Sequence, residues 1–295
     1  MSDVISYDGT RLALTTWGPR DAPIVVLVHG LGLSTDSWGQ VPDLLAADHR
    51  VVAYDLRGHG QSGDARNGDY SMETQAKDLE AVLNEVVPEG SAAVVVGNSL
   101  GGGVIVARAH HCGNDLVAGA VFAGSGGSGV TFPGFPARNL PAPAQAALRL
   151  GWMKALKAGA LIGKRIRALE PLADHLVRRM AFAPKDPQEA VARVRENFLS
   201  SRPQALARTT LASVSHDGTR MAPDLNVPTL VIHGSADPEV SDDELKELMA
   251  ALPDAELMSL PGEGHMLALT RPELLAGQVT RWVQHTRATG RGPAR

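Results

Sequence analysis

Short apolar runs alternate with longer helical patterns along most of the chain. The runs are rich in β-branched residues and nearly unbroken, which is typical of strands covered on both faces of a sheet. They lie at residues 24–28, 50–54, 92–96, 117–122 and 229–232. The longer stretches between them predict helices at 37–47, 71–87, 100–112, 242–252 and 272–286. This alternation indicates βαβ units, and therefore a mostly parallel sheet with helices on both faces.

Two segments depart from this alternation. Residues 4–17 contain two short strand-like runs around Asp8 and Gly9, a pair that favours a hairpin turn, so we expect an antiparallel edge. Residues 132–210 have no convincing strand-like run, are rich in Ala, Leu and Arg, and predict several short helices. We therefore predict a core formed by 1–131 and 211–295, interrupted by a helical insertion at 132–210.

The insertion also differs from the rest of the chain in charge. Residues 138–208 carry 14 Lys or Arg and 5 Asp or Glu, a net charge of +9. The full 295 residues carry 28 basic and 32 acidic side chains, so the remainder holds 14 and 27, a net charge of −13. The overall charge of −4 therefore sums an acidic host and a basic insertion.

Composition narrows the class of protein. With 44% hydrophobic and 20% charged residues, the chain is neither disordered nor fibrous. No apolar run approaches the roughly 18 residues that a membrane-spanning helix needs. The first residues have neither the basic nor the apolar region of a signal peptide. The single cysteine, Cys112, cannot form an internal disulfide, so we expect a cytoplasmic protein.

The most specific motif is Gly97-Asn98-Ser99-Leu100-Gly101, which directly follows a predicted strand and begins a predicted helix. A serine on such a tight turn is held in a strained backbone conformation, with its oxygen raised above the edge of the sheet. Glycines two residues to either side are needed because a Cβ there would collide with neighbouring backbone. The pattern therefore predicts a nucleophilic serine.

Through this motif and its context the chain resembles the α/β-hydrolase superfamily, nearly from end to end. The resemblance implies an eight-stranded sheet, with the insertion as a helical cap over the active site, and a catalytic order of nucleophile, acid and histidine. His265, in a Gly-rich loop after a strand-like run, matches the general base, and Asp237, after the run at 229–232, matches the acid. Glu239 is a weaker second choice that we expect to be solvated. Some relatives take the acid after the preceding strand, but residues 123–130 contain none.

The resemblance also implies an oxyanion hole made by the backbone N–H groups of Leu31 and Leu100. His29 and the 55–62 turn are interpreted as scaffold that holds the loops. No metal or organic cofactor is implied. His110, His111 and Cys112 are consecutive on a helix and point in different directions, so they do not form a metal site.

Serine at position 99 favours an acyl-enzyme, and so a serine esterase acting on a small ester, thioester or lactone. Haloalkane dehalogenases and epoxide hydrolases use aspartate there. The alternatives are a carbon–carbon bond hydrolase of the ring-cleavage-product type, a cofactor-free perhydrolase and a 3-oxoadipate enol-lactonase. Met266 stands where the first of these usually has tryptophan. A non-enzymatic ligand-binding relative is the remaining alternative.

The basic insertion allows three interpretations. It adheres to an acidic core, it attracts an anionic or carrier-bound acyl substrate, or it meets an anionic membrane surface. A nucleic-acid partner is not expected. The first interpretation is favoured.

Overall fold

The computed structural model describes residues 2–126, Gly151 and 170–289. The strands of this part of the chain are β1 (Ser2–Ile5), β2 (Arg11–Trp17), β3 (Ile24–Val28), β4 (Arg50–Tyr54), β5 (Ala93–Asn98), β6 (Val117–Ala123), β7 (Thr229–Gly234) and β8 (Ala255–Leu260). Its α-helices are α1 (Val41–Leu45), α2 (Met72–Val86), α3 (Leu100–Cys112), α4 (Glu170–Ala181), α5 (Gln188–Ser200), α6 (Pro203–Ser215), α7 (Gly218–Met221), α8 (Asp242–Ala251), α9 (Leu267–Thr270) and α10 (Pro272–Ala288).

The strands form one eight-stranded sheet in the spatial order β1-β2-β4-β3-β5-β6-β7-β8. β1 pairs with β2 and β2 with β4 in antiparallel fashion, and all other neighbours are parallel. Gly9, at the turn between β1 and β2, has a φ of 81°, which glycine adopts without steric cost. The mostly parallel sheet and its antiparallel edge are therefore confirmed.

Apolar side chains cover both faces of the sheet. Successive residues of a strand point to opposite faces, so Val26 joins one buried cluster and Val25 joins the other. The first cluster includes α2, α3 and α8, and the second includes α1 and α10. A doubly covered sheet exposes functional side chains only at strand ends, and the carboxyl ends of the parallel strands therefore locate the site.

The predicted helix at 37–47 is wrong. That stretch contains a 3₁₀ turn, Thr35–Trp38, and the short helix α1, separated by Gly39 with a φ of 55°. A glycine at positive φ interrupts the helical backbone, and Pro42 lies in the first turn of the new helix. The break lets the chain turn from the carboxyl end of β3 onto the face of the sheet.

Helices α4, α5 and α6 lie between β6 and β7, where the helical insertion is expected. Residues 132–150 and 152–169 of that insertion lie outside the described residues, and the expected boundary at 210 falls inside α6. Within 2–126 and 170–289, no helix has both the length and the apolar character to cross a membrane. The cytoplasmic location stays a prediction.

Candidate active site

Ser99 joins β5 to α3 through a strained turn. Its φ of 51° and ψ of −118° make it the one non-glycine residue with positive φ in the described part of the chain. A Cβ on Gly97 would lie 2.5 Å from the carbonyl carbon of Gly101, and a Cβ on Gly101 would lie 2.1 Å from the carbonyl oxygen of Val28. Both glycines are therefore required by close backbone approach, as the motif predicts.

Hydrogen bonds join this turn to the end of β6. The Ser99 N–H donates to the Ala123 carbonyl over 3.4 Å, and Asn98 Nδ2 donates to the same oxygen over 3.0 Å. Ser125 Oγ donates to the Ser99 carbonyl over 2.8 Å. Ser125 is not among the predicted site residues, although its place two residues past the end of β6 brings it to the same edge of the sheet.

The loop after β3 is fixed by His29. Its Nε2 accepts the Leu56 N–H over 3.0 Å, so its Nδ1 carries the proton and donates to the Gly30 carbonyl over 2.8 Å. That carbonyl also accepts the Leu33 N–H. In a trans peptide the N–H points opposite to the C=O, so the Leu31 N–H points away from both of these donors. His29 thus acts as scaffold, as expected.

The two expected oxyanion donors belong to residues adjacent to Ser99, one in the chain and one in the loop after β3. Leu100 is the first residue of α3, and the first amides of a helix have no acceptor within the helix. Gly30, which shares its peptide group with the Leu31 N–H, packs against Ser99, since a Cβ on Gly30 would lie 3.2 Å from Ser99 Cβ. The two N–H groups are therefore near the serine, with the α3 dipole adding positive potential.

His265 and Asp237 form a buried pair. His265 Nδ1 lies 2.8 Å from Asp237 Oδ2, and their side chains are 3% and 0% exposed. Asp237 Oδ1 accepts the N–H groups of Glu239 and Val240. Burial acts to raise the pKa of Asp237, but His265 and these two N–H groups outweigh it and bring the pKa below its usual value. Asp237 is therefore a stable carboxylate, suited to orient the imidazole.

The expectation that Glu239 is solvated is wrong. Its side chain is 15% exposed, and Oε2 lies 3.2 Å from Nε2 of His265. This is an ion-pair distance without hydrogen-bond alignment, and among the described residues Nε2 makes no hydrogen bond. The turn folds back because the Asp237 carboxylate accepts the Glu239 and Val240 amides. The imidazole therefore lies between two carboxylates.

These carboxylates change the charge state of the ring. Burial acts to lower the pKa of His265, but Asp237 and Glu239 outweigh it and raise the pKa to about 9. Burial raises the pKa of Glu239 to about 7, against the opposing effect of the imidazolium. Both carboxylates therefore favour the cationic form of the ring.

β6 lies between the serine and the histidine. A Cβ on Gly124, at the end of β6, would lie 2.4 Å from the His265 carbonyl oxygen and 3.3 Å from its Nδ1. Ala123, the preceding residue, accepts the Ser99 N–H. One strand end thus brings together the nucleophile turn and the histidine loop.

The insertion contacts both loops of the site. The His265 N–H donates to the Ala181 carbonyl over 3.2 Å, and Lys185 Nζ lies 2.7 Å from a Glu263 carboxylate oxygen. On the other side, Phe198 packs against Gly32 in the loop after β3, where a Cβ would lie 2.5 Å from its ring. Within the described residues, no group of three or more His, Cys, Asp or Glu side chains is arranged to hold a metal ion.

Residues 25–278 match the model of the "Alpha/beta hydrolase family". Over 122 residues the chain is 41% identical to the bifunctional esterase/perhydrolase DCH of Acinetobacter calcoaceticus, a match that covers 41% of this chain and 43% of that one. The chain thus spans less than half the length of this relative in that match.

Two further similarities extend over nearly the whole chain. A non-heme chloroperoxidase of Burkholderia pyrrocinia is 27% identical over 96% of this chain and 100% of its own. The solved structure of esterase RhEst1 from Rhodococcus sp. ECU1013 has a TM-score of 0.72 at 26% identity, covering 96% of this chain and 98% of that one.

Proposed function

The chain belongs to the alpha/beta hydrolase family, which is enzymatic, and from this membership we propose that it is a serine hydrolase cleaving a small carboxylic ester, thioester or lactone. The observation that carries the proposal is the left-handed backbone of Ser99 at the start of α3, beside the buried pair of His265 and Asp237. A serine nucleophile needs a hydroxyl raised above the sheet edge and a nearby base that takes its proton. The relatives named as esterases support the same chemistry.

The reaction follows from the positions of these groups. Ser99 Oγ attacks the acyl carbon and its proton passes to neutral His265 at Nε2, while Asp237 stabilises the imidazolium. The Leu31 and Leu100 amides receive the developing oxyanion, where one lost donor costs about 3 kcal/mol of transition-state stabilisation. His265 then returns the proton to the leaving group. Water, activated by the same base, hydrolyses the acyl-enzyme.

A second candidate is perhydrolysis by the same acyl-enzyme. In that reaction hydrogen peroxide replaces water as the acyl acceptor and gives a peracid. The relatives named as an esterase/perhydrolase and a non-heme chloroperoxidase favour it. Product analysis with hydrogen peroxide present distinguishes the two, since only perhydrolysis yields peracid.

We assign the insertion the role of a cap that adheres to the acidic core. Lys185 pairs with Glu263, Arg193 with Asp36 and Arg202 with Asp64. All three ion pairs join a basic residue of the insertion to an acidic residue of the core. This distribution supports the first of the three interpretations of its charge.

Ser99→Ala tests the proposal directly. The variant is expected to lose hydrolysis of a p-nitrophenyl ester and labelling by a fluorophosphonate probe, because both need the hydroxyl. Ser91→Ala, which removes a hydroxyl from an exposed loop, is the matched control and should behave as the wild type. Failure of the probe to label folded wild-type protein would refute the mechanism, and full activity of Ser99→Ala would do so equally.

A further inference from the structure

Two carboxylates face the two nitrogens of one imidazole. Asp237 Oδ2 lies 2.8 Å from Nδ1 of His265, and Glu239 Oε2 lies 3.2 Å from its Nε2. All three side chains are largely removed from water, and the most exposed, Glu239, is only 15% exposed. One carboxylate is sufficient to orient the ring and fix its tautomer, so the second has a separate effect.

Nε2 is the nitrogen that the proposed reaction uses. With Nδ1 bonded to Asp237, only Nε2 is left to accept the hydroxyl proton of Ser99, and it accepts this proton only as neutral imidazole. A carboxylate beside Nε2 favours the imidazolium, in which Nε2 already carries a proton. At 3.2 Å from Nε2, the Glu239 carboxylate also lies close to the space through which the Ser99 hydroxyl would approach this nitrogen.

We propose that Glu239 is a positioning residue that keeps His265 protonated in the resting site and releases it when bound substrate displaces the Glu239 side chain. This rests on the proposed function. On release the Nε2 proton passes to Glu239 Oε2, leaving a neutral imidazole and a neutral carboxylic acid. The Ser99 proton then moves to Nε2 as Oγ attacks, so no further acid or base is required.

The pKa directions agree with a protonated ring in the resting site. The two carboxylates raise the pKa of His265, which favours the cation while Glu239 is in contact. Burial raises the pKa of Glu239 to about 7, so its carboxyl group can hold a proton near neutral pH. Withdrawal of Glu239 removes one of the two anions that stabilise the imidazolium, and the pKa of His265 then falls.

Among the described residues, the other charged groups near His265 come from three elements. His233, on β7, is close enough for its pKa to be affected by His265. Glu263 precedes His265 in its own loop and is paired with both Lys185 and Arg271. Asp186, from the insertion, packs against Gly264. A substitution of Glu239 leaves all of these groups in the protein.

The test measures the rate of Ser99 labelling by a fluorophosphonate probe across pH, because labelling needs the same neutral base. We expect Glu239→Gln to lower the pH midpoint by about one unit and to raise the rate at pH 7 about tenfold, since one pH unit corresponds to a factor of ten in neutral imidazole. Glu247→Gln, at an exposed position of α8, is the matched control and should keep the wild-type profile. Glu239→Asp, whose carboxylate is one methylene shorter, should give an intermediate midpoint.

Two results would overturn the proposal. One is a midpoint for Glu239→Gln equal to that of the wild type, and the other is a slower rate at every pH with no change in midpoint, as a purely structural role would give. An NMR titration of the His265 ring in the same proteins reads its pKa without catalysis. If no form labels at Ser99, the proposed function fails, and the titration still decides whether Glu239 sets the protonation of His265.

Discussion

Replacing Gly101 with alanine tests whether the close approach of α3 to β3 sets the oxyanion hole. The added Cβ would lie 2.1 Å from the Val28 carbonyl oxygen, whereas real Cβ contacts are essentially never under 3.0 Å. One backbone must therefore move by about 1 Å. Val28 leads into the loop of Leu31, and Gly101 follows Leu100, so the shift separates the two proposed donors. A displacement of about 1 Å at a catalytic centre can cost ~10²-fold in rate.

The assay is kcat/KM for a p-nitrophenyl ester, together with the urea midpoint of unfolding. We expect kcat/KM to fall about 100-fold, and overpacking to destabilise the fold by ~1–3 kcal/mol. Gly277→Ala is the matched control, because its Cβ would meet nothing within 4 Å on an exposed position of α10. The free energy of unfolding of that variant should rise by up to ~1 kcal/mol, and its activity should be unchanged. A folded Gly101→Ala enzyme with kcat/KM within threefold of the wild type would refute the reasoning.

The remaining predictions concern charge. Asp237→Asn places an amide N–H against Nδ1 of His265 and forces the ring proton onto Nε2, so kcat should fall ~10³–10⁴-fold in steady-state assays while the fold persists. Asp78→Ala should lower the free energy of unfolding by ~3–5 kcal/mol, because buried Arg57 loses the carboxylate that lies 2.6 Å from it. An unchanged midpoint in urea unfolding would contradict this. With a neutral short ester, kcat/KM should vary little with added salt, whereas kcat/KM for an anionic or carrier-bound acyl substrate should fall steeply if the insertion attracts it by charge.

Most of the fold could be predicted from the pattern of apolar and polar positions, because that pattern reflects which side chains are buried. The continuous apolar runs are strands covered on both faces, and the helix predicted at 100–112 coincides with α3. Ser71 caps α2 by accepting the Thr74 N–H, within one residue of the predicted start. The prediction failed at 37–47, where one glycine with positive φ divides two short helical turns. Gly39 and Pro42 are the local signals for this break, and a Cβ on Gly39 would lie 3.0 Å from the Leu269 side chain.

The places of Ser99, Asp237 and His265 in the fold were predictable because each follows a strand whose carboxyl end lies at one edge of the sheet, whereas their expected roles come from the α/β-hydrolase resemblance. Glu239 was not, because its orientation depends on the Asp237 carboxylate accepting two backbone N–H groups. An aspartate followed by proline does favour such a turn. The contact of the Glu239 side chain with the imidazole, however, also depends on where the loop after β8 places His265.

The basic insertion connects to the site mainly through packing. Exposed ion pairs contribute about 0–1 kcal/mol each, and Arg193 and Asp36 are 37% and 62% exposed. Phe182 and Val191, which are nearly fully buried against Leu33 and Met266, contribute more. Because Met266 directly follows His265, this apolar contact couples the insertion to the histidine loop. Substitutions that loosen it should therefore alter the position of the base, even where they touch no charged group.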